Sequence, residues 1–155
     1  YNLNIITKKY KKLPKTWVLL DPKAGLLLGP DEKKSIDRGA AIVALDCSWK
    51  QIDSSINYIE NNTKLEGRTL PCVLAANPVS WGKPGRLSTS EALALSLVLI
   101  DRWSQAKEIM KPFRFGDSFF QLNAEPLEAY AGAKNNSELA EIQWEFFDKP
   151  ESSNL

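Results

Sequence analysis

Ala41-Ile42-Val43-Ala44-Leu45 is an unbroken apolar run, entered from Gly39-Ala40 and closed by Asp46. A strand with one wet face alternates apolar and polar residues. A run without alternation predicts a strand covered on both sides, the habit of parallel sheets flanked by helices. Residues 70–76 repeat the pattern, and residues 17–20 form a shorter strand candidate that Asp21-Pro22 ends. Between these runs the spacing predicts two helices. One covers 32–38, capped by Asp31 and stopped by Gly39; the other covers 50–60, with Ile52, Ile56 and Ile59 on one stripe.

The second half changes character. The stretch from Asn77 to Arg86 holds two prolines and two glycines, which predicts an irregular loop. Ser88-Thr89-Ser90-Glu91 follows as a capping box ahead of a helix reaching about Ile100, apolar almost all round and therefore buried. From Trp103 the pattern is helical. Ala106, Ile109 and Met110 share a stripe that Pro112 breaks; Phe119, Phe120 and Leu122 start another helix; Leu139, Ile142, Phe146 and Phe147 mark a last one. Strands alternating with helices, then helices alone, give an α/β part over 1–87, a helical part over 88–150 and a frayed tail over 151–155. The length, 155 residues, suits such an arrangement.

Composition narrows the chemistry. The chain has no histidine, which removes Ser-His-Asp and Cys-His catalysis and histidine metal sites. Its two cysteines, Cys47 and Cys72, sit far apart in apolar runs, as buried reduced thiols do, and no metal site is expected. No apolar run reaches the roughly 18 residues of a membrane span, and no secretory leader is seen, so a cytoplasmic protein is expected. Net charge is only +1, yet residues 1–20 hold Lys8, Lys9, Lys11, Lys12 and Lys15 without an acid. Residues 117–151 hold eight acids against two lysines. A basic front suits a polyanion such as RNA; a solvated lysine-rich loop is the other reading.

Ligands of parallel sheets bind beyond the carboxyl ends of the strands. Those ends are here the Asp46-Cys47-Ser48-Trp49 turn and the loop that follows residue 76, with a capped helix start beside them. Such a pocket offers a carboxylate, an indole, backbone donors and a helix dipole, which suits a small ligand with a purine-like face and a carboxylate. Asp46 equally reads as the cap of the helix over 50–60, and Trp49 as a core aromatic. Neither GxGxxG nor GxxxxGK[ST] occurs.

Four segments together resemble a known family: Ala44-Leu45-Asp46-Cys47-Ser48-Trp49, Arg68-Thr69-Leu70-Pro71, the stretch from Leu74 through Asn77-Pro78-Val79 to Pro84, and Leu87-Ser88-Thr89-Ser90-Glu91-Ala92-Leu93. They are similar in order and spacing to the aminocarboxypropyltransferases of small-subunit ribosomal RNA. Phe115-Gly116-Asp117-Ser118-Phe119 with Leu122-Asn123 adds a later match.

The resemblance implies a SPOUT-like knotted parallel-sheet domain followed by a C-terminal all-helical domain. It implies S-adenosylmethionine as cofactor, transfer of its 3-amino-3-carboxypropyl group to N1-methylpseudouridine or pseudouridine, and methylthioadenosine as product. The partner is small-subunit ribosomal RNA or a pre-ribosomal particle, met by a monomer. Carried over by position, Leu45 holds the ribose through its carbonyl and Trp49 packs on the sulfonium methyl. Leu70 and Gly85 hold adenine through the backbone, Thr89 meets the carboxylate, and Asp46 is the catalytic group. Beside them Arg68, Lys83 and Arg86, with the five early lysines, are the RNA-contact candidates. Asp21-Pro22-Lys23 resembles a cofactor-gripping segment of the family but sits too late, so a first strand and helix are expected to precede this numbering. Two other readings of the scaffold are a catalytically silent RNA-binding assembly factor and an S-adenosylmethionine-dependent RNA methyltransferase.

Overall fold

A computed structural model describes residues 17–46, 51, 53–54, 56–57 and 66–151. Three short strands, β1 (Trp17–Leu20), β2 (Ala41–Val43) and β3 (Glu66–Arg68), form one sheet in the order β2-β1-β3. Both pairings are parallel: Val18 lies opposite Ile42 and Glu66, and Leu19 opposite Val43 and Gly67. β1 is central, and Val18, Leu19 and Leu20 are all buried, as a covered parallel strand requires.

Parallel neighbours need a crossover. The one from β1 to β2 contains a 3-10 turn, Pro30–Glu32, and the short helix α1 (Lys33–Asp37). Its start differs from the expected Asp31 cap. Glu32 Oε2 accepts from the Gly29 amide at 2.9 Å. The Asp31 carboxylate accepts instead from the Asn136 amide at 3.3 Å, across the molecule. Gly39 ends α1 as expected, with a φ of +104° that favours glycine. The expected helix over 50–60 lies largely outside the described residues.

Five helices follow: α2 (Thr89–Leu99), α3 (Trp103–Met110), α4 (Gly116–Leu122), α5 (Ala124–Ala131) and α6 (Asn136–Ile142), then a 3-10 turn, Gln143–Glu145. α2 starts at the expected box: the Glu91 amide donates to Ser88 Oγ at 3.3 Å, and the Ser88 amide donates to Glu91 Oε2 at 2.7 Å. Every residue from Ala94 to Leu99 on it is buried, and α3 and α5 pack against it. α3 stops at Met110, ahead of Pro112. One apolar core runs from Val18 and Leu20 through α2 to Leu127, Tyr130 and Leu139.

The expected SPOUT-like knotted sheet domain is corrected by this topology. The described residues form a small three-stranded parallel sheet with six α-helices, and no knot is seen among them. Residues 70–76, read as a buried strand, belong to no sheet ladder. Their main chain alternates as a strand's does, but its partners on one side are side chains. The Cys72 amide donates to Gln143 Oε1 at 3.1 Å, and the Cys72 carbonyl accepts from the Tyr130 hydroxyl at 2.6 Å. The Leu74 amide donates to Asn123 Oδ1 at 2.7 Å, while Asn123 Nδ2 returns a bond to the Leu74 carbonyl at 2.9 Å. The Ala76 amide donates to Glu91 Oε1 at 2.6 Å. On the other side Ala75 exchanges bonds with Gly82 and Lys83, and the Val73 carbonyl accepts from the Gly85 amide. The segment is buried at Pro71, Val73, Ala75 and Ala76, and buried backbone groups must find partners. Side chains from the helical half therefore take up hydrogen bonds that a neighbouring strand would otherwise make.

Candidate functional site

Parallel strands end on the same side of their sheet. The carboxyl ends of β1, β2 and β3 therefore open into one cavity of about 710 Å³. Residues 20–23, 44–46 and 68–72 supply three walls; Pro84, Gly85 and the start of α2 supply a fourth, and Gln143 and Trp144 reach in from the last 3-10 turn.

The first turn of α2 is bound to the tip of β2. Thr89 Oγ1 donates to Asp46 Oδ1 at 3.2 Å, and both residues line the cavity. Ser88 caps only one of the helix's free amides, that of Glu91. The Thr89 and Ser90 amides carry no hydrogen bond among the described residues. These free donors and the positive end of the dipole make the turn an anion-binding end. The Leu70 amide and carbonyl are likewise unengaged among the described residues. Leu45 lines the cavity at the end of β2. Gly85 has a φ of +69° with open space where a Cβ would stand, so conformation and not room asks for glycine there.

The cavity thus brings together Leu45, Asp46, Leu70, Gly85 and Thr89 from four separate segments. Trp49 and the lysines at 8, 9, 11, 12 and 15 lie outside the described residues. Arg68 lines the cavity, but its guanidinium is engaged: Nε lies 2.9 Å from Glu32 Oε1 and Nη2 3.1 Å from Glu66 Oε2. Lys83 and Arg86 stand exposed on the 77–87 loop beside the cavity rather than in its lining.

Asp21, Cys72, Gln143 and Trp144 are among the lining residues without an assigned role. Asp21 is buried, and its Oδ1 accepts from the Lys23 amide at 2.8 Å, folding the chain back at the end of β1. The Asp-Pro-Lys order was its signal. Cys72, Gln143 and Trp144 had none, because the Cys72–Gln143 bond joins residues 71 positions apart. Burial pushes the Cys72 thiol up, so it lines the wall as a neutral group and not as a nucleophile. Among the described residues no group of three or more His, Cys, Asp or Glu could hold a metal ion, and no helix is long and apolar enough to cross a membrane.

Comparison with known proteins decides the family. The model of the family described as "Ribosome biogenesis protein, C-terminal" matches residues 18–147. The chain belongs to this family. Curated relatives similar to it include a 16S rRNA aminocarboxypropyltransferase of Methanosarcina acetivorans, 41% identical over 143 residues, covering 92% of this chain and 79% of the relative. Another, from Methanocaldococcus jannaschii, is 35% identical over 148 residues, covering 96% and 84%. Among solved structures, the SAM-dependent rRNA:acp-transferase Tsr3 from Vulcanisaeta distributa is similar, with a TM-score of 0.72 and 34% identity, covering 88% of this chain and 72% of that one. This ribosome biogenesis family member therefore shares its fold with Tsr3 over 88% of its length.

Proposed function

We propose that this chain is an enzyme transferring the 3-amino-3-carboxypropyl group of S-adenosylmethionine to a base of small-subunit ribosomal RNA, with 5'-methylthioadenosine released. The acceptor in this reading is N1-methylpseudouridine or pseudouridine. The enzyme meets the RNA or a pre-ribosomal particle as a cytoplasmic monomer. The observation that carries the reading is the pairing of the Asp46 carboxylate with the helix-start Thr89 at the cavity formed by three parallel strand ends. The names of the curated relatives support it.

The residues present suit the cofactor. A cavity of about 710 Å³ lies inside the ~300–1,000 Å³ range of small-ligand sites. The free amides of Thr89 and Ser90 fit a carboxylate, and the unengaged backbone at Leu70 fits the polar edge of a purine. Leu45 offers its carbonyl to ribose hydroxyls, Gly85 closes the adenine side, and Trp49 is assigned to the sulfonium methyl. When bound, the cofactor supplies a carbon made electrophilic by the adjoining positive sulfur. Asp46 accepts the proton that the acceptor base sheds, and Thr89 holds that carboxylate in place. Lys83, Arg86 and the early lysines at 8, 9, 11, 12 and 15 are assigned to RNA phosphates, whereas Arg68, first grouped with them, stays paired with Glu32 and Glu66. The division at 87/88 follows the same logic, with the cofactor held chiefly by the first part.

Two labels test the reading. Small-subunit RNA incubated with the enzyme should take up label from carboxyl-labelled S-adenosylmethionine and none from methyl-labelled cofactor. Methyl label in RNA would make the chain a methyltransferase. Absence of both labels, with no cofactor binding by calorimetry, would make it a silent assembly factor. Light scattering checks the monomer.

A further inference from the structure

Apolar residues on a protein surface are ordinary when scattered and informative when grouped at a tip. Val79 is 89% exposed and Trp81 57% exposed, two residues apart on the 77–87 loop. That loop is tied down at its base. Buried Asn77 accepts from the Ser80 amide through Oδ1 at 3.0 Å, and its own amide and Nδ2 bind the Glu91 carboxylate at 3.0 and 2.8 Å. Beyond the tip, the Gly82 amide donates to the Ala75 carbonyl at 2.7 Å, and the Lys83 amide to the Ser80 carbonyl at 3.0 Å. Gly82 takes a φ of +72° to make the turn. The indole is thus presented on a fixed turn fastened to the first turn of α2. Trp81 is three residues from the cavity-lining Pro84, a reach of at most ~11 Å along the chain. The loop from Asn77 to Leu87 carries Lys83 and Arg86 and no acid.

An exposed aromatic face among basic residues, held rigidly beside a cavity, has the form of a single-strand RNA platform: bases stack on the ring while cations track the phosphates. We propose that Trp81 stacks an unpaired base of the RNA next to the acceptor nucleotide, with Lys83 on the neighbouring phosphate. The proposal rests on the RNA-directed reading above and deepens it. It also fits the topology of recognition, because bases paired in an A-form helix offer no free face to a side chain.

The test uses a fluorescein-labelled single-stranded RNA of ~16 nucleotides and a duplex RNA of equal length, each titrated with wild type, Trp81→Ala, Trp81→Phe and Lys83→Ala. Trp81→Ala should weaken single-strand binding about 5- to 150-fold and leave duplex binding, thermal stability and S-adenosylmethionine affinity unchanged. Trp81→Phe should retain most of the affinity, and Lys83→Ala should reduce the slope of log K against log salt by about 1. Unchanged single-strand affinity in Trp81→Ala overturns the proposal and leaves Val79 and Trp81 to a protein partner. Trp81-dependent RNA binding without label transfer would overturn only the transfer reading. Transfer without dependence on Trp81 would overturn only this one.

Discussion

Glu91 is fully buried, and its two oxygens receive four hydrogen bonds. Oε1 accepts from the Ala76 and Asn77 amides at 2.6 and 3.0 Å; Oε2 accepts from Asn77 Nδ2 and the Ser88 amide at 2.8 and 2.7 Å. Glu91→Gln keeps the shape and replaces one acceptor by an NH₂ group. Whichever way the amide turns, two donors lose their partner and face another donor. Each buried unsatisfied group costs ~1–3 kcal/mol, so the variant should lose about 2–6 kcal/mol against a typical total of ~5–15 kcal/mol. At ~2–4 °C per kcal/mol for a chain of this size, a ~4 kcal/mol loss lowers Tm by about 8–16 °C. Thermal melts followed by circular dichroism, with guanidinium titrations at unchanged m-value, read this directly. Because the same carboxylate fastens the 76–77 wall and the Ser88 cap, S-adenosylmethionine affinity should fall in parallel. A variant within ~0.5 kcal/mol of wild type would refute the claim that Glu91 holds the cavity together.

Asp46→Asn keeps an acceptor for Thr89 but cannot take a proton. Single-turnover transfer should slow about 10²–10⁴-fold with cofactor affinity nearly unchanged, and an unaltered rate removes Asp46 from the chemistry. Tyr130 and Cys72 share a bond through the Cys72 carbonyl. Burial raises both groups, the Tyr130 hydroxyl further raised by the Cys72 charge. The folded state then keeps protons that the unfolded chain gives up. Stability should be full below the ordinary thiol value of 9.0 and fall as pH rises past it and past the phenol's 10.0. Melts from pH 7 to 11 should show this fall, and Tyr130→Phe should flatten its upper part; an equal slope in the variant contradicts the assignment. At Gly116 a Cβ would strike the Met110 carbonyl oxygen, a backbone atom with little room to yield. Gly116→Ala should therefore cost about 1–3 kcal/mol in chemical denaturation, and a neutral result would mean the turn between α3 and α4 relaxes freely.

What could be read in the chain follows the range of the forces involved. The Ser88–Glu91 box is settled within four residues, and both of its bonds are present. The runs at 17–20 and 41–45 became β1 and β2 because hydrophobic burial is written in residue type, although β2 closes at Val43. The run at 70–76 shows the limit of that signal. Its apolar residues are buried as expected, but an apolar run states that a segment is covered and not by what. Here the cover is Glu91, Asn123, Tyr130 and Gln143, between 15 and 71 positions away, so a strand-like stretch stands outside the sheet. Glu66-Gly67-Arg68 shows the converse. No β-branched or aromatic residue announces it, yet it becomes β3 because the second edge of β1 needs hydrogen-bond partners. Gly67 also fits closely there, where a Cβ would stand 3.2 Å from Ala24 Cβ. The same reasoning separates Trp81 from Trp144. Trp81 is legible as a loop residue because its surroundings are local. Trp144 reaches the cavity only after α2, α5 and α6 have packed, and nothing near it in the chain foretells that position.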